Sequence, residues 1–321
     1  MSGYGPAKND DLRPRAAVWQ HRRMKFHVTP SGVRLGAEIT GIDLAQPVDA
    51  DTRRALNQAW IEHAVLVIRG QALAPPQFAA AAALFGDLFE QQVKKFALPD
   101  DPMVGAISSR DLPVVDGKFH VRGENFHTDH SNFPAPPKAT TLHAVHLPAT
   151  GGDTQFVDVR AAYDDLPDET KRRILPLRSS HVYESSQSPR KMAALSPEER
   201  AKVPQTMQPL VIRHPESGRP ALYLNTGRME GIADMDADAA FKLIDELYAH
   251  ATQPTYEYRH AWRPGDMVIW DNRSVMHQAN ADYDPQQYRF LYRIMLRLSQ
   301  ITMSPGRQAC RYSYFGWVAW A

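Results

Sequence analysis

Apolar and polar positions in this chain alternate mostly with a period of two, and only a few stretches carry the 3.6-residue period of a helix. From Phe26 to Leu44, KFHVTPSGVRL and GAEITGIDL read as strands whose turns are marked by Gly and Pro. Residues 51–63 (DTRRALNQAWIEH) have helical periodicity, with Leu56, Trp60 and Ile61 among the apolar positions. AVLVIRG at 64–70 is an unbroken apolar, β-branched run and predicts a buried strand. An alanine-rich helix is expected over Pro75 to Phe85, ended by Gly86. Residues 89–126 follow neither period and read as irregular. From Lys138 onward strands dominate again: ATTLHAVHL, TQFVDV, LRSSHVY, QPLVIRH, ALYLN, YEYRHAW, DMVIWDN and YRFLYRIMLRL. Two short helices interrupt them, near 160–175 and 237–252.

This pattern predicts a mainly β fold with peripheral helices, a sandwich or barrel rather than a βαβ sheet. Residues 1–24 read as a solvated tail, with Met24 as an alternative start, and residues 25–300 as a single domain. The segment 301–321 gathers Tyr312, Tyr314, Phe315, Trp317 and Trp320, aromatics expected to dock on their own domain or on a neighbouring subunit. The stretch 184–206 is polar with one short helix, and reads either as a mobile lid or as an inert surface excursion.

A net charge of +1 with 23% charged residues gives no reason to expect nucleic acid or a membrane surface as partner. No apolar run is long enough for a signal peptide or a membrane span. Cys310 is the only cysteine, so an intrachain disulfide is excluded, and a reducing cytoplasm is the expected location.

The candidate chemistry lies in His127-Thr128-Asp129, in His277 150 residues later, and in Arg293, 16 residues beyond that. Two histidines and one carboxylate form the ligand set of a non-haem iron facial triad, which leaves metal positions open for a cosubstrate and oxygen. In a strand, residues i and i+2 share a face, so His127 and Asp129 can reach one ion while His130, at i+3, points away. Alone, an H-x-D triplet is weak evidence, and a single histidine after MVIWDNRSVM is more often a hydrogen-bonded, half-buried residue. His143 and His146 in LHAVHL read as core or surface histidines rather than a second metal site. Strict alternation puts Arg289, Arg293 and Arg297 on one face of the last strand. A guanidinium inside an apolar barrel is costly unless it meets an anion, and a carboxylate is its natural bidentate partner. Structural salt bridges are the plainer reading for Arg297 and Arg289. A hydrolase using Ser131 with His127 or His130 is disfavoured, because no G-x-S-x-G elbow is present.

LGAEITGIDL at 35–44, AVLVIRGQ at 64–71, LFGDL at 84–88 and FHTDHSN at 126–132 occur in that order. GGDTQFVDVRAAYDDLP at 151–167, HPESGRPALYL at 214–224, PGDMVIWDNRSVMHQANADY at 264–283 and YRFLYRIML at 288–296 follow. Together these resemble the taurine dioxygenase/TfdA-like iron(II)- and 2-oxoglutarate-dependent oxygenases. The resemblance implies a double-stranded β-helix, the cupin-like jelly roll, with Fe(2+), 2-oxoglutarate as cosubstrate and O2. It implies His127, Asp129 and His277 as iron ligands, and Thr154 with Arg293 as the pair holding the distal carboxylate of 2-oxoglutarate. Arg289 matches a second arginine near that carboxylate; the His277–Arg293 spacing is one residue longer than in the taurine enzyme. Asp129 separates the chain from halogenases, which lack the carboxylate.

The implied reaction hydroxylates an aliphatic C–H of a small anionic substrate, releasing succinate and CO2. Where the carbon bears a heteroatom, an adjacent C–O, C–S or C–N bond is cleaved. Desaturation, cyclisation or epimerisation on a secondary-metabolite pathway, and a non-catalytic cupin-like metal-binding protein, are the alternatives. Substrate contacts are expected from Lys94, Lys95, Lys118, Arg122 and Asn125, with His130 at the mouth. Lys94 stands where the taurine enzyme has an aromatic contact, so taurine is not the expected substrate. The expected partner is a small molecule, and the expected assembly a homo-oligomer, dimer or tetramer.

Overall fold

A computed structural model describes residues 25–89, 97–111, 114–115, 118–189 and 196–297. The expectations for residues 1–24, Lys94, Lys95 and the aromatic segment 301–321 fall outside these residues.

The N-terminal elements follow the sequence pattern closely. Strands β1 (His27–Pro30) and β2 (Ala37–Thr40) pair as an antiparallel hairpin and lead to α1 (Ala50–His63). Asp49 caps α1 by accepting from the Thr52 N–H, and Ala64, in the left-handed region at φ 61°, ends it. Strand β3 (Val65–Ile68) is buried at every position, and α2 (Pro75–Ala83) starts on two prolines, which suit a first helical turn.

The next segment departs from expectation. After β4 (Asp87–Phe89), the stretch read as irregular forms β5 (Ala97–Leu98), β6 (Asp101–Ser108), β7 (Val114–Val115) and β8 (Lys118–Phe119). Pro102 and Gly105 hide the eight-residue β6 from a propensity reading. What makes it a strand is pairing with the last strand, a contact far away in sequence.

Strands β9 (Ala139–His146) and β10 (Thr154–Asp158) precede two short helices, α3 (Val159–Asp164) and α4 (Asp168–Ile174), where one was expected. A peripheral group follows: β11 (Arg178–His181), α5 (Pro197–Lys202), β12 (Thr206–Pro209), β13 (Val211–Arg213), β14 (Pro220–Leu222) and β15 (Met229–Ile232). Helix α6 (Ala237–Ala251), of 15 residues, lies where a helix was expected near 237–252. Strands β16 (Glu257–His260), β17 (Met267–Asp271), β18 (Val275–Ala279) and β19 (Phe290–Arg297) complete the chain. The run MVIWDNRSVM is therefore two strands separated at Asn272–Ser274, and His277 lies inside β18 rather than after a strand.

A nine-stranded sheet, ordered β1-β2-β3-β17-β9-β19-β6-β5 with β4 beside β19, faces the three-stranded sheet β16-β10-β18. This is the jelly roll. Leu142, Phe156, Val268, Trp270, Val275 and Leu291 fill the space between the two sheets. On the outer face of the large sheet, Leu66, Ile68, Ile269 and Ile294 pack against Leu56 and Trp60 of α1 and Phe78 of α2. Val157 and Met276, on the outer face of the small sheet, pack under α3 and α6. Each face takes alternate residues, which is why β3 is apolar throughout: Val65 and Val67 point in, Leu66 and Ile68 out.

Candidate metal centre

His127 and His277 meet as an isolated antiparallel bridge. Each histidine donates its N–H to the other's carbonyl, at 3.0 and 2.9 Å, and the two rings lie 4.3 Å apart. Such a reciprocal pair brings opposed residues to one face of the ladder. The H-T-D triplet is not a strand, as the sequence suggested; after His127 the chain turns, and His130 adopts φ 48°. It is the turn, not strand alternation, that swings Asp129 towards the histidines. One Asp129 oxygen lies 3.9 Å from His127 Nε2 and the other 3.9 Å from His277 Nε2. One ligand atom from each of the three residues falls within 4.8 Å of the others.

Neighbouring groups hold this arrangement. His127 Nδ1 is 2.8 Å from the Asn125 carbonyl, which assigns the ring proton to Nδ1 and leaves the Nε2 lone pair facing the centre. Thr140 on β9 donates its hydroxyl to Asp129 at 2.5 Å, and Arg293 on β19 donates to the other oxygen at 2.8 Å. Behind Thr140 stands Asn272, which donates to the Thr140 hydroxyl at 3.1 Å and accepts from Trp270 Nε1 at 3.0 Å. Thr128, between the two triplet residues, donates to the Asn272 carbonyl at 2.7 Å. His277 takes its orientation from packing, with the Trp270 ring 4.5 Å away and Phe156 at 6.4 Å.

The electrostatics suit a cation. Burial holds the pKa of both His127 and His277 below the ordinary histidine value, and for His277 the neighbouring His127 adds to the effect. Burial would raise Asp129, but Arg293, His277 and His127 outweigh it and keep the carboxyl well below its usual range. Two neutral imidazoles and one carboxylate are the protonation states a metal requires of these donors. The donor set therefore fits a divalent iron ion.

The two candidate arginines separate. Arg289 is buried, and its Nε and Nη2 both donate to the Gly152 carbonyl, at 3.2 and 3.0 Å. No carboxylate lies within ion-pair distance of it among the described residues. Gly152, at φ 71°, admits this approach: a Cβ there would stand 3.0 Å from Arg289 Nε. Two residues on, buried Thr154 accepts from Trp262 Nε1 at 3.0 Å and shares the inward face of β10 with Phe156. Arg293, by contrast, is engaged by Asp129.

His130 packs edge-on to Phe133 at 5.4 Å and stands apart from the converging trio; burial pushes it down to about 3. Asn125 contributes a backbone carbonyl, and Arg122 is partly buried just ahead of the triplet. Of Lys118 the side chain is not described. Sequence reasoning missed Thr140, Asn272, Asn225 and Arg228. The W-D-N tripeptide, with two side chains that lock neighbours, was the one available signal.

The family model for "Taurine catabolism dioxygenase TauD, TfdA family" matches residues 27–295. An (S)-phenoxypropionate/alpha-ketoglutarate-dioxygenase of Sphingobium herbicidovorans is 33% identical over 277 residues, 83% of this chain and 93% of that protein. An alkylsulfatase of Acinetobacter baylyi is 33% identical over 274 residues, 82% of each chain. Among solved structures, AAD-2 in complex with Mn(II) and N-oxalylglycine is similar with a TM-score of 0.74 at 30% identity. The match covers 87% of this chain and 100% of that one.

Proposed function

The chain belongs to the TauD/TfdA family of 2-oxoglutarate-dependent dioxygenases, and from that premise we propose that it oxidises a small organic acid at an aliphatic C–H. It is an oxidoreductase that uses Fe(II), 2-oxoglutarate and O2. The carrying observation is the convergence of His127, Asp129 and His277 in ligand-ready protonation states. Relatives named for a phenoxypropionate and for alkyl sulfates support an anionic substrate.

In this reading His127, Asp129 and His277 hold the iron. Arg289 with Thr154 takes the distal carboxylate of 2-oxoglutarate, rather than Arg293 with Thr154. What supports the exchange is that Arg293 is already committed to Asp129, while Arg289 is buried beside Gly152 without a carboxylate. When bound, the iron supplies coupled oxidation: 2-oxoglutarate and O2 give succinate and CO2, and the substrate C–H becomes C–OH. The chain's own residues do the rest. Thr140 and Arg293 fix the carboxylate of Asp129, and Asn125 fixes the tautomer of His127. Trp270, Phe156 and Leu291 keep the inner wall apolar and dry. The same proposal carries a cytoplasmic location and a dimeric or tetrameric assembly, which sizing by light scattering tests. Among the described residues no helix is long and apolar enough to cross a membrane.

The test is anaerobic addition of Fe(II) and then 2-oxoglutarate, watching for the visible charge-transfer band of the chelate. The expected result is a band in the native protein that needs far more 2-oxoglutarate in Arg289→Ala. Iron bound with no band at any concentration would sink the oxygenase reading in favour of a metal-binding jelly roll without turnover.

A further inference from the structure

Several interior guanidiniums among the described residues are matched to carboxylates. Arg160 is held by Asp158, Arg273 by Asp271 and Glu216, and Arg293 by Asp129. Arg289 and Arg228 have no carboxylate within ion-pair distance among the described residues. These same two are the arginines whose pKa burial lowers, the sign of a desolvated cation that its surroundings do not repay. The reaction proposed above binds two acids, 2-oxoglutarate and the primary substrate. Arg289 is assigned above to the first.

Arg228 is placed for the second. It sits in a tight turn in which the Arg228 and Met229 N–H groups both donate to the Asn225 carbonyl at 2.9 Å. That turn is fastened to the metal triplet itself, because Asn225 Nδ2 donates to the Thr128 carbonyl at 2.7 Å. Val182 donates its N–H to the Arg228 carbonyl at 2.8 Å, so the backbone is tied from both sides. The side chain donates from Nη1 to the Tyr183 carbonyl at 3.0 Å and lies 5.5 Å from the centre of the Tyr183 ring. A carbonyl and an aromatic face orient a guanidinium without neutralising it. Its charge reaches the site: it is attracted to Asp129 and acts against protonation of His127, His130 and His181. Part of its surface stays open to solvent, so an incoming ligand can reach it.

We propose that Arg228 receives the oxyanion head group of the primary substrate, a carboxylate or a sulfate monoester, and sets the specificity of this site for acids. This rests on the oxygenase reading, and the experiment separates the two. Native protein, Arg228→Ala and Arg228→Lys are each loaded anaerobically with Fe(II) and 2-oxoglutarate. The chelate band reports the metal site. Binding of phenoxyacetate, hexyl sulfate and the neutral methyl phenoxyacetate is then measured by calorimetry.

The expected result is that the native protein binds one of the acids at least about tenfold more tightly than the neutral ester. Arg228→Ala should lose about ten- to a hundredfold of that affinity with the band intact, and Arg228→Lys should keep part of it. Which acid is preferred distinguishes carboxylate from sulfate. Undiminished acid binding in Arg228→Ala would overturn the proposal, as would a native protein that does not prefer either acid to the ester. Absence of the band in the native protein would overturn the oxygenase reading, and this proposal with it.

Discussion

Asp129 and Asp271 are both buried aspartates with histidine and arginine neighbours, and the protein uses them in opposite ways. Asp271 is closed. Arg273 reaches it through Nε and Nη2, each at 2.8 Å, and His214 Nε2 donates at 2.8 Å. His214 spends its other nitrogen on the Ser217 N–H, and Arg273 its remaining arm on Glu216. Asp129 is open. Thr140 and Arg293 hold it, but the two imidazole Nε2 atoms stop at 3.9 Å, beyond hydrogen-bond reach. Closed clusters stabilise a fold; three donors that converge without bonding one another leave lone pairs for an ion. This contrast marks the candidate metal site better than residue types do, since histidine, aspartate and arginine occur in both places.

The strongest way to break the comparison is to remove a donor from the open cluster. His277→Ala or Asp129→Ala should cost more than about a hundredfold in iron retention and succinate release, above the scale for outer-sphere residues, while circular dichroism stays native. Iron content after desalting checks this. If Asp129→Ala keeps its iron, the cluster is structural after all.

In the closed cluster the loss should appear as stability instead. Asp271→Ala leaves buried Arg273 with Glu216 alone and should lower the unfolding free energy by about 3 kcal/mol in denaturant titrations. Iron bound per folded molecule should not change. A sharper probe is Thr140→Val, which deletes the hydroxyl behind Asp129 at nearly constant volume. Metal affinity should fall about ten- to a hundredfold with little change in midpoint.

The smallest effect is in pH dependence. His181 is fully buried, and burial, aided by Arg228, pushes its pKa down to about 3. Unfolded, the ring titrates near 6.5, so the unfolded state binds more protons below that value and stability falls as pH falls. The contribution is complete above about pH 6.5 and lost at about 1.4 kcal/mol per unit below it. His181→Gln should flatten the stability slope from about pH 6 to about pH 5 by that amount. An unchanged slope would mean the ring is not held neutral.

Much of the frame was legible along the chain. β9, β10, β17 and β19 were found because a strand's residue pattern reports burial directly, whatever its partner, and β3 because its run is apolar throughout. The donors were legible too: His127, Asp129 and His277 carry chemistry that few other triplets share. β6 was not, since Pro102 and Gly105 suppress local propensity and only β19 makes it a strand. The turn at His130 was misread as a continuing strand for a related reason: nothing local in H-T-D-H requires a positive φ. Arg228 gave no signal, because T-G-R-M-E reads as an ordinary turn until Asn225 fastens it to Thr128.

By itself, then, the sequence determined which residues alternate, which segments are buried, and which side chains can bind a metal. Those properties belong to single residues and their near neighbours. The tertiary structure decided which carboxylate stays open and which arginine meets it. It joined His127 to His277 across 150 positions, gave Arg293 to Asp129, and left Arg289 and Arg228 with no carboxylate partner among the described residues. Such assignments depend on strand register and turn geometry between distant segments, where a shift of one residue sends a side chain to the other face.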